Sequence, residues 1–116
     1  MRISRLVARV QAYLAKHPEL RKPEYHGKHP LAGHCYVASE TLFHLLGGSK
    51  AGWKPVHVRH RNVSHWILTK GKTILDATAA QFDTEPEYHN GRGKGFLTKK
   101  PSKRSLQVIN AIGEHR

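Results

Sequence analysis

Between Trp53 and Asp76 the chain alternates apolar and polar residues in short runs broken at turn residues, and this stretch limits the possible folds more than any other. Trp53-Lys54-Pro55-Val56-His57-Val58-Arg59-His60 has the two-residue period of a strand. Val56 and Val58 would face a core, with His57, Arg59 and His60 elsewhere. Asn62-Val63-Ser64 reads as a turn. His65–Thr69 and Lys72–Asp76 read as two further strands around Lys70-Gly71. Connections this short join antiparallel neighbours.

Helical patterns flank the strands. Ile3, Leu6, Val7, Val10, Tyr13 and Leu14 form an amphipathic stripe over residues 3–17, which His17-Pro18 ends. Residues 18–33 are rich in proline, glycine and charge and predict a long irregular segment. Residues 34–46 predict a helix with Val37, Leu42, Leu45 and Leu46 on its apolar side. Gly47-Gly48 closes it, and Cys35 lies in its first turn. A last helix is predicted over 102–112, with Ser102 as N-cap and Leu106, Val108, Ile109 and Ile112 apolar. The expected fold class is therefore α+β, with helices packed on a small antiparallel sheet. At 116 residues the chain reads as one domain, 1–116.

Cys35 is the only cysteine, so no internal disulfide staples the fold. No apolar run approaches membrane-spanning length and no leader pattern opens the chain. A cytoplasmic, reducing setting with no membrane association is the expectation, and it keeps the thiol free. The formal charge of +12 attracts polyanions, so an acidic macromolecule, protein or nucleic acid, is the expected partner.

The order Cys35, His65, Asp76 is the one a thiol nucleophile, its base and an orienting carboxylate would need. A helix N-terminus favours negative charge on sulfur. The hairpin can be tested by counting. With Lys70-Gly71 as the turn, His65 falls directly opposite Asp76. With Gly71-Lys72 as the turn, the two become diagonal neighbours. Both registers keep them on one face. The Cys35 amide could receive an oxyanion. Tyr25, His29 and His34 are candidates for a second donor or for the cleft wall, and spacing does not choose among them. Trp66 has the opposite parity to His65 and reads as core or as a cover over the other face.

Here the chain resembles the papain-like superfamily in its transglutaminase-like branch. The resemblance rests on Cys35 opening a helix, on His65-Trp66-Ile67-Leu68 and on Ile74-Leu75-Asp76-Ala77-Thr78, and it covers residues 31–83. Tryptophan directly follows the histidine here, and His29 stands where papain-like enzymes often carry glutamine; both depart from the family pattern. The resemblance implies a papain-like core with Cys35 as nucleophile, His65 as base and Asp76 as orienting acid. Peptide or isopeptide hydrolysis, glutamine deamidation and acyl transfer are the activities it implies. The wording of Gly33–Glu40, Leu75–Phe82 and Gly91–Pro101 is also similar to small proteins of phages and their hosts, which brings no activity with it.

Rival readings come from the same residues. A lone cysteine is often a small buried hydrophobe. Cys35, His34, His57, His60 and His65 are zinc-type ligands, yet paired ligand spacing is missing, so no metal and no cofactor is expected. Residues 89–104 are glycine-rich and basic. Arg92, Lys94, Lys99, Lys100, Lys103 and Arg104, with Phe96 interleaved, are anion-binding candidates; the plainer reading is a flexible basic loop. The rival to an enzyme is a non-catalytic basic module that binds nucleic acid or protein, of the kind a phage uses to modulate a host factor.

Overall fold

The computed structural model describes residues 3–61, 63–96 and 99–113. Among these, three α-helices, α1 (Ile3–Ala15), α2 (Cys35–Leu45) and α3 (Lys103–Gly113), pack with a four-stranded antiparallel sheet. Its strands are β1 (Lys54–His60), β2 (Val63–Lys70), β3 (Thr73–Leu75) and β4 (Arg92–Gly93), in the order β3-β2-β1-β4. The α+β class is as expected from the sequence.

The first turn of the meander comes earlier than expected, and the second takes the later of the two expected positions. His60 pairs with Val63, so Val63 and Ser64 are strand rather than turn. The chain reverses at Arg61, whose φ of 49° is the left-handed value a tight hairpin requires, and Asn62 lies outside the described residues. Lys70 pairs with Thr73, so the next turn is Gly71-Lys72 rather than Lys70-Gly71. Gly71 supplies the positive φ, 59°, at its first central position.

Period-two alternation gives the sheet two covered faces. Leu68 belongs to the main core with Leu6, Val10 and Leu14 of α1, Val37, Ala38 and Leu42 of α2, and Val108 and Ile112 of α3; Leu75 packs against it. Trp66 shares that face by parity. On the opposite face, Val58 stands across from His65 and Val56 across from Ile67. The chain after β3 covers this side. The backbone at Gly91 lies so close that a Cβ there would come within 2.8 Å of Val56.

The stripe of α1 buries Leu6, Val10 and Leu14, but Ile3 is exposed. In α3 the buried line is Ser105, Val108 and Ile112, which leaves Leu106 outside it on the exposed flank. Ser102 caps α3 as expected: its Oγ accepts the Ser105 amide at 3.3 Å. Residues 18–33 contain two short 3-10 turns, Pro18–Leu20 and Pro23–Tyr25. The basic segment is not a free loop. Arg92–Gly93 pairs with β1, and Phe96 packs against the core edge.

Two side-chain bonds lock the elements that matter for Cys35, His65 and Asp76. Ser39 of α2 donates to the Trp66 carbonyl at 3.0 Å, fixing the helix against β2 one residue beyond His65. Gln11 of α1 donates to the Ala77 carbonyl at 2.8 Å, holding the chain just after Asp76.

Candidate active site

The α2 helix begins at the edge of β2. Its first described ladder bond runs from the Ala38 amide to the His34 carbonyl, 2.8 Å, so Cys35, Tyr36 and Val37 occupy the first turn, where amides lack intrahelical acceptors. Cys35 is a free, half-buried thiol with Sγ 3.9 Å from the Ser64 carbonyl oxygen. That oxygen belongs to the residue before His65.

His65 is fully buried in β2. Its Nε2 lies 2.7 Å from Asp76 Oδ2. The register that achieves this is the diagonal one: Leu68 faces Leu75, so Asp76 comes level with Ile67, two residues from His65 on the same face. Asp76 is held from three directions. Oδ2 also accepts the Tyr88 hydroxyl at 2.9 Å, and Oδ1 accepts the Thr78 amide at 3.3 Å in a local turn. With Nε2 committed to Asp76, Nδ1 is the ring nitrogen left for the thiol. Nδ1 is buried and has no hydrogen-bond partner; the Cys35 sulfur, which interacts with the ring, lies 3.9 Å from the Ser64 carbonyl oxygen. The Phe82 edge closes the ring's remaining side, with centroids 4.9 Å apart.

Electrostatics follow from this packing. Burial alone pulls the His65 pKa down. The hydrogen bond to Asp76, then the Cys35 neighbour, then the charges of both outweigh burial and raise it to about 9. His65 is thus an imidazolium at neutral pH. Burial, and then the Asp76 charge, push the Tyr88 phenol well above its usual range, so Tyr88 stays a donor.

The raised pKa makes a prediction for stability. His65 binds its proton more tightly folded than unfolded, where the value is near 6.5. The stabilisation is full below that value and is lost as pH rises through about 9. The Cys35→Ser protein, in which no thiolate titrates in the opposite sense, should lose stability across this window, read from urea midpoints, and adding Asp76→Asn should remove most of that loss.

The other candidates are placed differently. His34 is completely buried beneath the helix start, and neither ring nitrogen has a hydrogen bond. Burial, and then the charges of Arg21 and Arg104, lower its pKa to about 4, so the ring is neutral. It forms no cleft wall. His29 is exposed, and its Nδ1 accepts the Leu31 amide at 3.1 Å. Tyr25 lies against Gly33, whose φ of 82° and closeness to the ring (2.6 Å from a would-be Cβ) both require glycine. No hydrogen bond joins Tyr25, His29 or His34 to Cys35. His60 is buried rather than on the surface; its Nε2 meets Thr84 Oγ1 at 3.3 Å. Among the described residues, no group of three or more His, Cys, Asp or Glu side chains is arranged to hold a metal ion.

The basic candidates differ in what they touch. Arg104 donates to the Leu20 carbonyl at 2.9 Å, whereas Lys94 lies over the Trp66 ring, 5.9 Å from its centroid. Arg92, Lys99, Lys100 and Lys103 are exposed. Trp66, Tyr36, Phe96 and His57 form an aromatic group at the helix-facing side of the sheet, next to Cys35 and His65 in sequence.

Sequence reasoning missed Tyr88. It lies 12 residues past Asp76 in a proline- and glutamate-containing stretch with no periodicity, so no local signal tied it to the carboxylate. No family model, curated protein or solved structure matches the chain. No described helix is long and apolar enough to cross a membrane.

Proposed function

We propose that this chain is a cysteine-dependent hydrolase or acyltransferase in which Cys35 is the nucleophile, His65 its proton partner and Asp76 the group that orients His65. The observation that carries the reading is the buried His65–Asp76 hydrogen bond of 2.7 Å with the opposite ring nitrogen left to the thiol. A free cysteine with no such partner would be an ordinary thiol.

The reaction runs in balanced steps. The Cys35 proton resides on His65, leaving a thiolate beside an imidazolium. The sulfur attacks an acyl carbon and forms a C–S bond, while the carbonyl electron pair moves to oxygen. First-turn amides of α2, that of Cys35 foremost, face the developing oxyanion. Collapse breaks the bond to the leaving amine or alkoxide, which takes the proton from His65. Water or an amine then attacks the thioester carbon and gives a proton to His65, and the C–S bond breaks to release the acyl product and restore the Cys35 thiolate. Tyr88 and Thr78 keep Asp76 in place throughout and touch no substrate. The likeness to papain-like and transglutaminase-like enzymes supports the same roles. The setting is a reducing, cytoplasmic one, and the substrate is part of an acidic macromolecule.

The test uses p-nitrophenyl acetate. A burst of nitrophenol should accompany a single acetyl group on Cys35, read by mass spectrometry, and Cys35→Ala should abolish both. A burst that survives Cys35→Ala, or no acetyl-cysteine under any condition, contradicts the proposal. In the latter case the basic binding module becomes the better reading.

A further inference from the structure

The sheet ends at β4, and no described strand lies beyond it. Arg92 pairs with His57 and Gly93 with Val56, and the Lys94 amide donates to the Pro55 carbonyl at 3.2 Å. Backbone groups alternate in direction along an antiparallel strand. With Lys94 turned toward β1, the N–H and C=O of Gly93 point away from the sheet.

The glycines here are not required by the fold. Neither Gly93 nor Gly95 has a positive φ, and a Cβ on either would meet nothing within 4 Å. Bare glycine on a strand marks a place where another backbone can come close. Arg92 and Lys94 are exposed on either side of Gly93, and the register puts both on the face that carries His57. Beyond them Phe96 stacks on Trp66, 5.5 Å between centroids, and meets the Tyr36 ring at 5.4 Å. Tyr36 directly follows Cys35.

We propose that the β4 edge, from Arg92 to Gly95, docks an extended acidic polypeptide by strand addition. Its main chain pairs with Gly93, its carboxylates meet Arg92 and Lys94, and it runs along Phe96 and Tyr36 toward Cys35. The formal charge of +12 brings such a partner to the surface. A polypeptide suits this edge better than a nucleic acid. The Trp66 and Phe96 rings stack on each other and Lys94 covers Trp66, so their faces serve the protein's own packing. The inference rests on the thiol-enzyme reading only for its direction toward Cys35; docking itself needs no chemistry.

The experiment therefore uses the Cys35→Ala protein and a fluorescein-labelled peptide of alternating glutamate and valine, which places its carboxylates on one face. Binding by anisotropy should weaken with salt, and hydrogen exchange at the Gly93 amide should slow when the peptide is bound. Gly93→Pro removes the outward donor at an edge position that tolerates proline, and it should weaken binding roughly three- to tenfold. Arg92→Ala should weaken it as well. No binding of this peptide overturns the proposal, as does binding without protection at Gly93. Oligothymidylate binding in place of the peptide overturns it in favour of nucleic acid. Protection is read with Gly93 intact, so the test stands even if Gly93→Pro fails to fold.

Discussion

In the His65→Ala protein, alkylation of Cys35 by iodoacetamide is expected to rise about tenfold per pH unit between roughly pH 6 and 8, while the parent rate stays nearly flat. The slope follows from who holds the proton. A thiol without a base ionises near pH 8.5, so its thiolate falls about tenfold for each unit below that. Under the proposed mechanism the Cys35 proton has moved to His65, whose pKa of about 9 would hold it there across the whole range. The rate gap is smaller than the thiolate fractions suggest. An ordinary thiol is only about 0.3% ionised at pH 6. Yet a thiolate loses nucleophilicity as its pKa falls, with a Brønsted slope of about 0.4–0.5. At pH 6 the parent should therefore lead by on the order of tenfold. The change of slope is the sharper result. Parallel rises in both proteins would leave Cys35 an ordinary thiol.

The largest expected stability effect lies away from the sulfur. Glu40→Ala should destabilise the fold by about 3 kcal/mol and lower the melting temperature by roughly 10–15 °C. Glu40 is completely buried in α2. Its Oε1 accepts the Ser102 amide at 3.1 Å and the hydroxyls of Ser102 and Ser105 at 2.6 Å each. These donors form the start of α3, where a helix favours a negative group. Alanine would leave the buried Ser105 hydroxyl and the part-buried amide and hydroxyl of Ser102 short of an acceptor and open a cavity beneath them. Glu40→Gln keeps an acceptor and should cost less, about 1 kcal/mol. Urea titration of the three proteins checks the order. A Glu40→Ala protein within about 0.5 kcal/mol of the parent would mean that α3 docks without this carboxyl group.

Glu40 also marks a limit of sequence reading. On an apolar helix it looks like a solvated face residue, and its partners lie more than 60 positions away. The hairpin shows the opposite case. Its turn is displaced by one residue, which shifts the pairing by two. Because side chains alternate with period two, His65 and Asp76 stay on one face in either register. The juxtaposition of His65 and Asp76 was thus legible even though the register was not. The helices were legible because their stripes and stops are local: Gly47, with φ of 98°, follows α2 as its sequence suggests. His60 and Leu106 were misplaced for a shared reason. Which flank of an amphipathic element is buried depends on what covers it, and Phe82 over His60 comes from a segment with no pattern. The same applies to β4, two residues long, which glycine-rich sequence disguises as loop.

The proposed chemistry requires negative charge on the Cys35 sulfur, with the proton held by His65. Thiolate ultraviolet absorbance, followed as pH is lowered in the parent, Cys35→Ala and His65→Ala proteins, tests this most directly. The parent should keep its thiolate band below about pH 6, well under the ordinary ionisation near 8.5, and Cys35→Ala should lack it. A parent band that grows in only near pH 8.5, unchanged by His65→Ala, would contradict the thiolate–imidazolium pair.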